Sequence, residues 1–245
     1  MANIIRGGLK GDVDESHRQL LLMMLATGAF ALTPGCTTTG GPTPTRLPAG
    51  RSIHQLAGDV RVNGVAATIA TPINRGDVVE TFDKSFVIFV VEEDAFILRA
   101  NSKMTLPNRA VAPGVVSTAF ALDKGKALSV MASRRTDIST PNAVIGVRGT
   151  GVYVETDPEQ SYVCVCYGVS DLSTADNPGI NETIVSEHHS APRYILADKS
   201  APNRIVPAPF VNHDDQELLL VETLVGRTPP YVVPRGVTRS RTTYF

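Results

Sequence analysis

Two cysteines one residue apart, Cys164 and Cys166, hold the clearest chemical potential in this sequence. On an extended strand, residues i and i+2 project from one face, so both thiols point together. Their Cα atoms would stand about 6.6 Å apart, near the upper limit for a disulfide, so a bond between them would be strained and readily reduced. The pair can instead supply two soft ligands to Cu(I), Zn(II) or an iron species, an incomplete site until other residues close it. The further candidates are His188, His189, His213, Asp214 and Asp215. If His188 and His189 lie in extended chain their rings face opposite sides, and only one of them can join the thiols. The competing reading is inert: free cysteines are often small buried hydrophobes, and histidines are often surface or packed residues. An oxidising compartment makes two adjacent free thiols less comfortable and favours the chemical readings.

Other constellations carry less. Gly146-Val-Arg-Gly-Thr-Gly151 has the look of a phosphate loop, but Val152-Tyr-Val-Glu155 after it reads as a strand rather than a helix N-terminus. Gly149 and Gly151 are expected at a tight turn or bulge. Cys166, His188 and Asp214 make a nucleophile, base and acid on paper, with no local turn to activate the nucleophile. Asn181-Glu-Thr183 is a chance-level glycosylation triplet. The Tyr244-Phe245 ending would suit an outer-membrane barrel, yet the regular ten-residue alternating segments of one are missing. No convergent acid–base set is present, so a non-enzymatic protein is expected.

Composition narrows the partners. Lys plus Arg is 23 against 24 for Asp plus Glu, a net charge of -1, so the cation surplus that phosphate binding needs is lacking and nucleic acid is excluded. Trp is absent and aromatics are 6%, which argues against a stacking platform. Three cysteines are too few for a disulfide-built scaffold.

The elements that must position the cysteines are short strands. Asn63-Gly64 between alternating apolar residues marks a hairpin. Phe86–Val91 is apolar throughout, so both faces of that strand should be covered. Asp83 and Lys84 before it, and Glu92, Glu93 and Asp94 after it, read as gatekeepers and turn residues. Further strands are expected at Ala95–Leu98, Ser102–Leu106, Val115–Leu122, Ala127–Met131, Thr136–Thr140, Ala143–Val147, Val152–Glu155 and Tyr162–Tyr167, with Asp123-Lys-Gly-Lys126 as a turn. One helix is expected, capped by Asp214 with Glu217 closing the box, lined by Leu218, Val221, Leu224 and Val225, and stopped at Gly226. The fold class is all-β: stacked short strands, as a sandwich or β-solenoid-like array, with one C-terminal helix.

The N-terminus carries an address. Leu20–Leu32 is thirteen residues without a charge, too short to span a bilayer and suited to a secretory signal. It runs into Leu32-Thr-Pro-Gly-Cys36, similar to a bacterial lipobox with Cys36 as the lipidation site. A polar tether follows it. The expected organisation is a signal or lipoprotein segment over 1–36, a tether over 37–50, a β-domain over 51–171, and a loop-rich extension with the helix over 172–245.

Three stretches together resemble the FecR domain: Leu56-Ala-Gly-Asp-Val-Arg-Val-Asn-Gly64, Asn74-Arg-Gly-Asp-Val-Val-Glu-Thr81, and Thr140-Pro-Asn-Ala-Val-Ile-Gly-Val-Arg-Gly-Thr-Gly-Val-Tyr-Val-Glu155. The resemblance implies an all-β periplasmic module that relays signals by binding proteins, with no catalytic residues to carry over. Only nineteen residues precede the apolar segment, which leaves no room for the family's sigma-factor-holding domain. The expectation is therefore an exported binding, scaffold or signalling module in the periplasm or at the outer membrane. It would be held by an N-terminal lipid or anchor, with an envelope protein as partner. The alternative is a metal-binding or redox-sensing protein built on Cys164 and Cys166 with a nearby histidine.

Overall fold

The computed structural model describes residues 45–109 and 116–231. The apolar segment 20–32, Cys36 and the end of the chain from 232 lie outside the described residues. Fourteen strands form one open, non-barrel sheet. They are β1 (Ile53–Ala57), β2 (Val60–Val62), β3 (Val65–Ala66), β4 (Val78–Thr81), β5 (Phe86–Val91), β6 (Asp94–Leu98) and β7 (Lys103–Thr105), followed by β8 (Ser117–Val130), β9 (Arg135–Ser139), β10 (Ala143–Thr156), β11 (Gln160–Thr174), β12 (Asn181–Ser186), β13 (Arg193–Leu196) and β14 (Ile205–Pro207). A single helix among the described residues, α1 (Asp215–Leu224), follows them, which gives the expected all-β class with a C-terminal helix. No helix among the described residues is long and apolar enough to cross a membrane.

Strand pairing is antiparallel except between β8 and β9. Asn63 and Gly64 take φ of 52° and 79°, the left-handed pair that the two-residue hairpin between β2 and β3 requires. The alternation of the central strands divides their side chains between two cores. Val163 and Val165, with Val152 and Val154, Phe96 and Leu98, and Val87 and Phe89, point into an aliphatic core closed on its far side by Val60, Val79, Met104, Ile138 and Ile145. Tyr162, Cys164 and Cys166, with Tyr153, Ile97, Leu128 and Ile88, point the other way, under Leu218, Leu220, Val221 and Leu224 of α1. Both faces of β5 are thus covered, as its unbroken apolar run requires.

The helix begins as its sequence dictates. Asp214 accepts hydrogen bonds from the N–H groups of Gln216 and Glu217, and Glu217 accepts one from the N–H of Asp214. Gly226, with φ of 75°, ends the helix, its N–H bonding the Thr223 carbonyl.

Three local expectations are corrected. Asp123–Lys126 is not a turn but the middle of β8. Gly125, with φ of 92°, lies so close to Ser102 that any Cβ would overlap it, and here β8 exchanges its pairing with β7 for pairing with β6. The glycine marks a close crossing rather than a reversal. The strands expected at 143–147 and 152–155 are one strand, β10, with a bulge at Gly149 and Thr150 where its pairing passes from β9 to β8. Asp94 is no solvated gatekeeper. It is fully buried, accepts hydrogen bonds from the Arg75 guanidinium at 2.7 Å and the Ala132 N–H at 3.0 Å, and pairs with Arg134.

Candidate metal centre

The two cysteines lie on β11, where that strand's outer neighbour is missing. β12 pairs with Gly168–Ser173 and β13 with Gln160–Val163, so among the described residues the stretch between them has no strand on that side. The loop joining β12 to β13 fills the gap. The N–H of His189 donates to the carbonyl of Cys166 at 2.8 Å, which sets the imidazole beside the thiols. A second loop, between β14 and α1, delivers His213 next to the helix cap.

Four donor atoms therefore converge: the sulfurs of Cys164 and Cys166 and one nitrogen each of His189 and His213, all within 4.8 Å of one another. The Cys164 sulfur is 3.8 Å from His189 Nδ1, and His189 Nδ1 is 3.1 Å from His213 Nε2. Metal–ligand bonds of about 2.0–2.3 Å in a tetrahedron place neighbouring donors about 3.3–3.8 Å apart, so the set needs contraction of no more than about 1 Å to close on an ion. Both cysteines are free and buried, and so is His213.

The far nitrogen of each imidazole is spoken for. His213 Nδ1 donates to the carbonyl of Val211 at 2.7 Å, and His189 Nε2 donates to Asp215 Oδ1 at 2.9 Å. Those bonds commit a proton to each outer nitrogen and aim His189 Nδ1 and His213 Nε2 at the thiols, so that loss of the inner proton shared between them leaves the lone pairs a metal ligand needs. Tyr153 stacks on His213 with ring centroids 4.4 Å apart, and Phe210 packs against both imidazoles. Tyr153 in turn donates its hydroxyl to Glu155 at 2.7 Å, so the ring that backs His213 is itself fixed.

Electrostatics follow from this crowding. Burial pushes the Cys164 thiol up, but the hydrogen bond from Cys166 and the imidazoles of His213 and His189 outweigh it and hold the thiol well below its ordinary value. Burial, with the Cys164 charge beside it, pushes the Cys166 thiol well up. For His189 burial is the largest influence and lowers its pKa, but Asp215 and Cys164 together raise it to about 9. Burial likewise works against ionisation of Asp215, yet the two histidines bring it down to about 2. Without a metal the centre is a thiolate–imidazolium pair sharing a proton-rich pocket.

His188 and His189 are not splayed apart. His189 has φ of 49°, which breaks the extended chain, and the two rings lie 4.7 Å apart with both Nε2 atoms on Asp215 Oδ1. Only His189 reaches the sulfur; His188 is half-exposed and stays outside the four donors. Asp214 is committed to the helix cap. The orienting role of Asp215 has no spacing signal of its own, since it depends on the loop reversal at His189. Chemically, the arrangement is a buried Cys-Cys-His-His cluster capable of coordinating a metal ion.

No family model matches the sequence, and no curated protein matches it. Two crystal structures of a proposed anti-sigma factor from Parabacteroides distasonis, at 1.65 and 2.50 Å resolution, are similar, each at 14% identity with a TM-score of 0.43. The match covers 58% of this chain and 62% of that one, so this chain spans less than two thirds of that protein. A likeness this distant transfers no role.

Proposed function

We propose that this protein binds one metal ion through Cys164, Cys166, His189 and His213, and that the ion is Zn(II). The observation that carries the reading is the convergence of two thiols and two imidazole nitrogens within 4.8 Å, each imidazole held by an acceptor on its far nitrogen. Two sulfurs and two nitrogens in a tetrahedral set suit zinc, with Cu(I) and iron as the competing soft-ligand choices. Four protein ligands leave no open position for a substrate, so the ion serves structure or sensing rather than catalysis. The test is anaerobic purification followed by metal analysis and Co(II) substitution. One ion per chain and thiolate–cobalt absorption are expected, both lost in the Cys164→Ser, Cys166→Ser double variant. Equal metal content in that variant would sink the reading.

A second reading concerns place and partner, and three features of the sequence favour it: the apolar segment 20–32, the lipobox-like stretch ending at Cys36, and the three FecR-like stretches. On this reading the β-domain is an exported, non-enzymatic envelope module that binds another protein. The edge strand β3 and the surface around α1 offer the means, because an unpaired strand edge presents free backbone donors and acceptors. Cell fractionation and capture from envelope membranes test it; recovery as a free cytosolic species would remove it.

A further inference from the structure

The two loops that bring His189 and His213 to the thiols share a feature with consequences for regulation. Of seven non-glycine residues with left-handed backbone among the described residues, three lie in these loops: His189 at φ 49°, Ala191 at 51° and Asn212 at 59°. Asparagine and histidine tolerate that region; alanine does so only when its surroundings insist. Few backbone N–H groups of these loops are bonded to the rest of the fold. Besides the bond from His189 to Cys166, Ser190 N–H bonds Ser186 Oγ at 2.9 Å, and Val211 N–H reaches the Tyr162 hydroxyl at 3.3 Å. The loops are tied to each other by the bond from Ala208 N–H to the Pro192 carbonyl at 2.9 Å.

The sheet beneath needs no such help. Cys164 and Cys166 belong to a strand paired with β10 from Ser161 to Thr174, with register shifts at Cys166 and Gly168. The helix beyond the second loop has its own anchors: the Arg99–Glu217 ion pair at 2.9 Å and the leucines of its buried face. The strained segment is thus bracketed by two firmly held ones. The second loop is also held by Arg99 on the Asn212 carbonyl at 2.6 Å, Asn212 Nδ2 on Glu155 at 2.7 Å and the Tyr162 hydroxyl on the Pro209 carbonyl at 2.9 Å. An ion would add four bonds that join both loops to the sheet at one point.

We propose that the ion is a clasp for these loops alone: bound, it pins residues 187–192 and 208–213 onto β11, and on its loss they relax and lift together while the sheet and α1 stay folded. The inference rests on the metal reading above and adds to it a metal-dependent opening, by which the protein would report on metal supply. Opening uncovers Tyr153 and Tyr162, now stacked beneath the loops, together with both thiols.

Amide hydrogen exchange on the full-length protein tests this, comparing one sample loaded with Zn(II) and one stripped by excess chelator, with bound metal measured in each. The expected result is exchange at least about tenfold faster for His189, Ala208 and Val211 after stripping, with Val87–Phe89 of β5 and Leu220–Leu224 of α1 unchanged. An Ala191→Gly variant, which accepts the left-handed backbone freely, should shrink that difference. Equal loop exchange in samples that differ by one bound ion would overturn the clasp while leaving the metal site standing. Loss of protection throughout the sheet would overturn it in favour of a global staple. Failure of the protein to take up Zn(II) would overturn the metal reading and the clasp with it. Chelation of the unaltered protein decides among these even if the variant does not fold.

Discussion

The two sides of β10 and β11 are built from the same alternating strands yet do opposite things. On one side Phe89 stacks on Phe96 at 4.9 Å, Phe96 meets Phe120 edge-on at 5.6 Å, and aliphatic side chains fill the rest. On the other side the positions one residue along carry Tyr153, Tyr162, Cys164 and Cys166, and what covers them brings in buried charge as well, Arg99 with Glu217. The first side can be satisfied by any filling of the right volume and shape. The second needs particular atoms at particular distances, because each buried polar group there costs free energy unless its partner is present. Both sides contribute to stability, but chemistry is confined to the second, and the period-two pattern of the strands keeps the two apart.

That separation can be broken from either side. The largest effect is expected from Phe96→Ala, which removes a fully buried ring and destabilises the fold by about 3–5 kcal/mol. Metal content per folded molecule should stay the same, as urea unfolding and metal analysis of the folded fraction would show. Comparable is Arg99→Met, which strands the buried Glu217 carboxylate and should cost about 3–5 kcal/mol, much of it recovered in the Arg99→Met, Glu217→Leu double variant. A double variant no better than the single would mean that the ion pair does more than satisfy itself. Next is Asp215→Asn, which loosens the hold on His189 and should lower metal affinity about 10–100-fold, read by competition with a chelating dye. His188→Ala should shift affinity least, by under about threefold, since its ring lies outside the donor set.

Acidity sharpens the contrast further. In the metal-free protein His189 holds its proton up to about pH 9, and Cys166 holds its own above the ordinary thiol range. An ion displaces both, so affinity should rise about 100-fold per pH unit between roughly pH 7 and 8, with two protons released on loading. The stability of the empty fold runs the other way. His189 has its pKa raised from 6.5 to about 9, so its contribution is full below 6.5 and is lost as pH climbs through 9. Proton release measured in buffers of different ionisation heat would check the first slope, and thermal unfolding of the chelated protein the second.

Much of the fold was legible because local rules and tertiary demands agree. Phe86–Val91, the Asn63-Gly64 hairpin and the Asp214 cap each follow from residues within a few positions of one another. Sequence spacing failed where a distant partner decided the matter. Gly125 signals a turn until Ser102 is known to press against it, and Asp94 reads as surface until Arg75 and Arg134 arrive from loops distant in sequence. β13 and β14 are four and three residues long, too short for periodicity to register. The candidate site was half legible: the sulfurs follow from strand geometry, and His213 was among the candidates. That His189 would serve and His188 would not depends on a left-handed residue that nothing local requires.

The donors also arrive in an order. Cys164 and Cys166 leave the ribosome together, His189 follows after another hairpin, and His213 comes only once β14 is made. Throughout that interval the chain carries two neighbouring sulfurs without the His189 and His213 imidazoles beside them, open to oxidants and to exchange with other thiols. A metal site of these four donors could therefore close only after residue 213 has been synthesised, with the thiols still reduced.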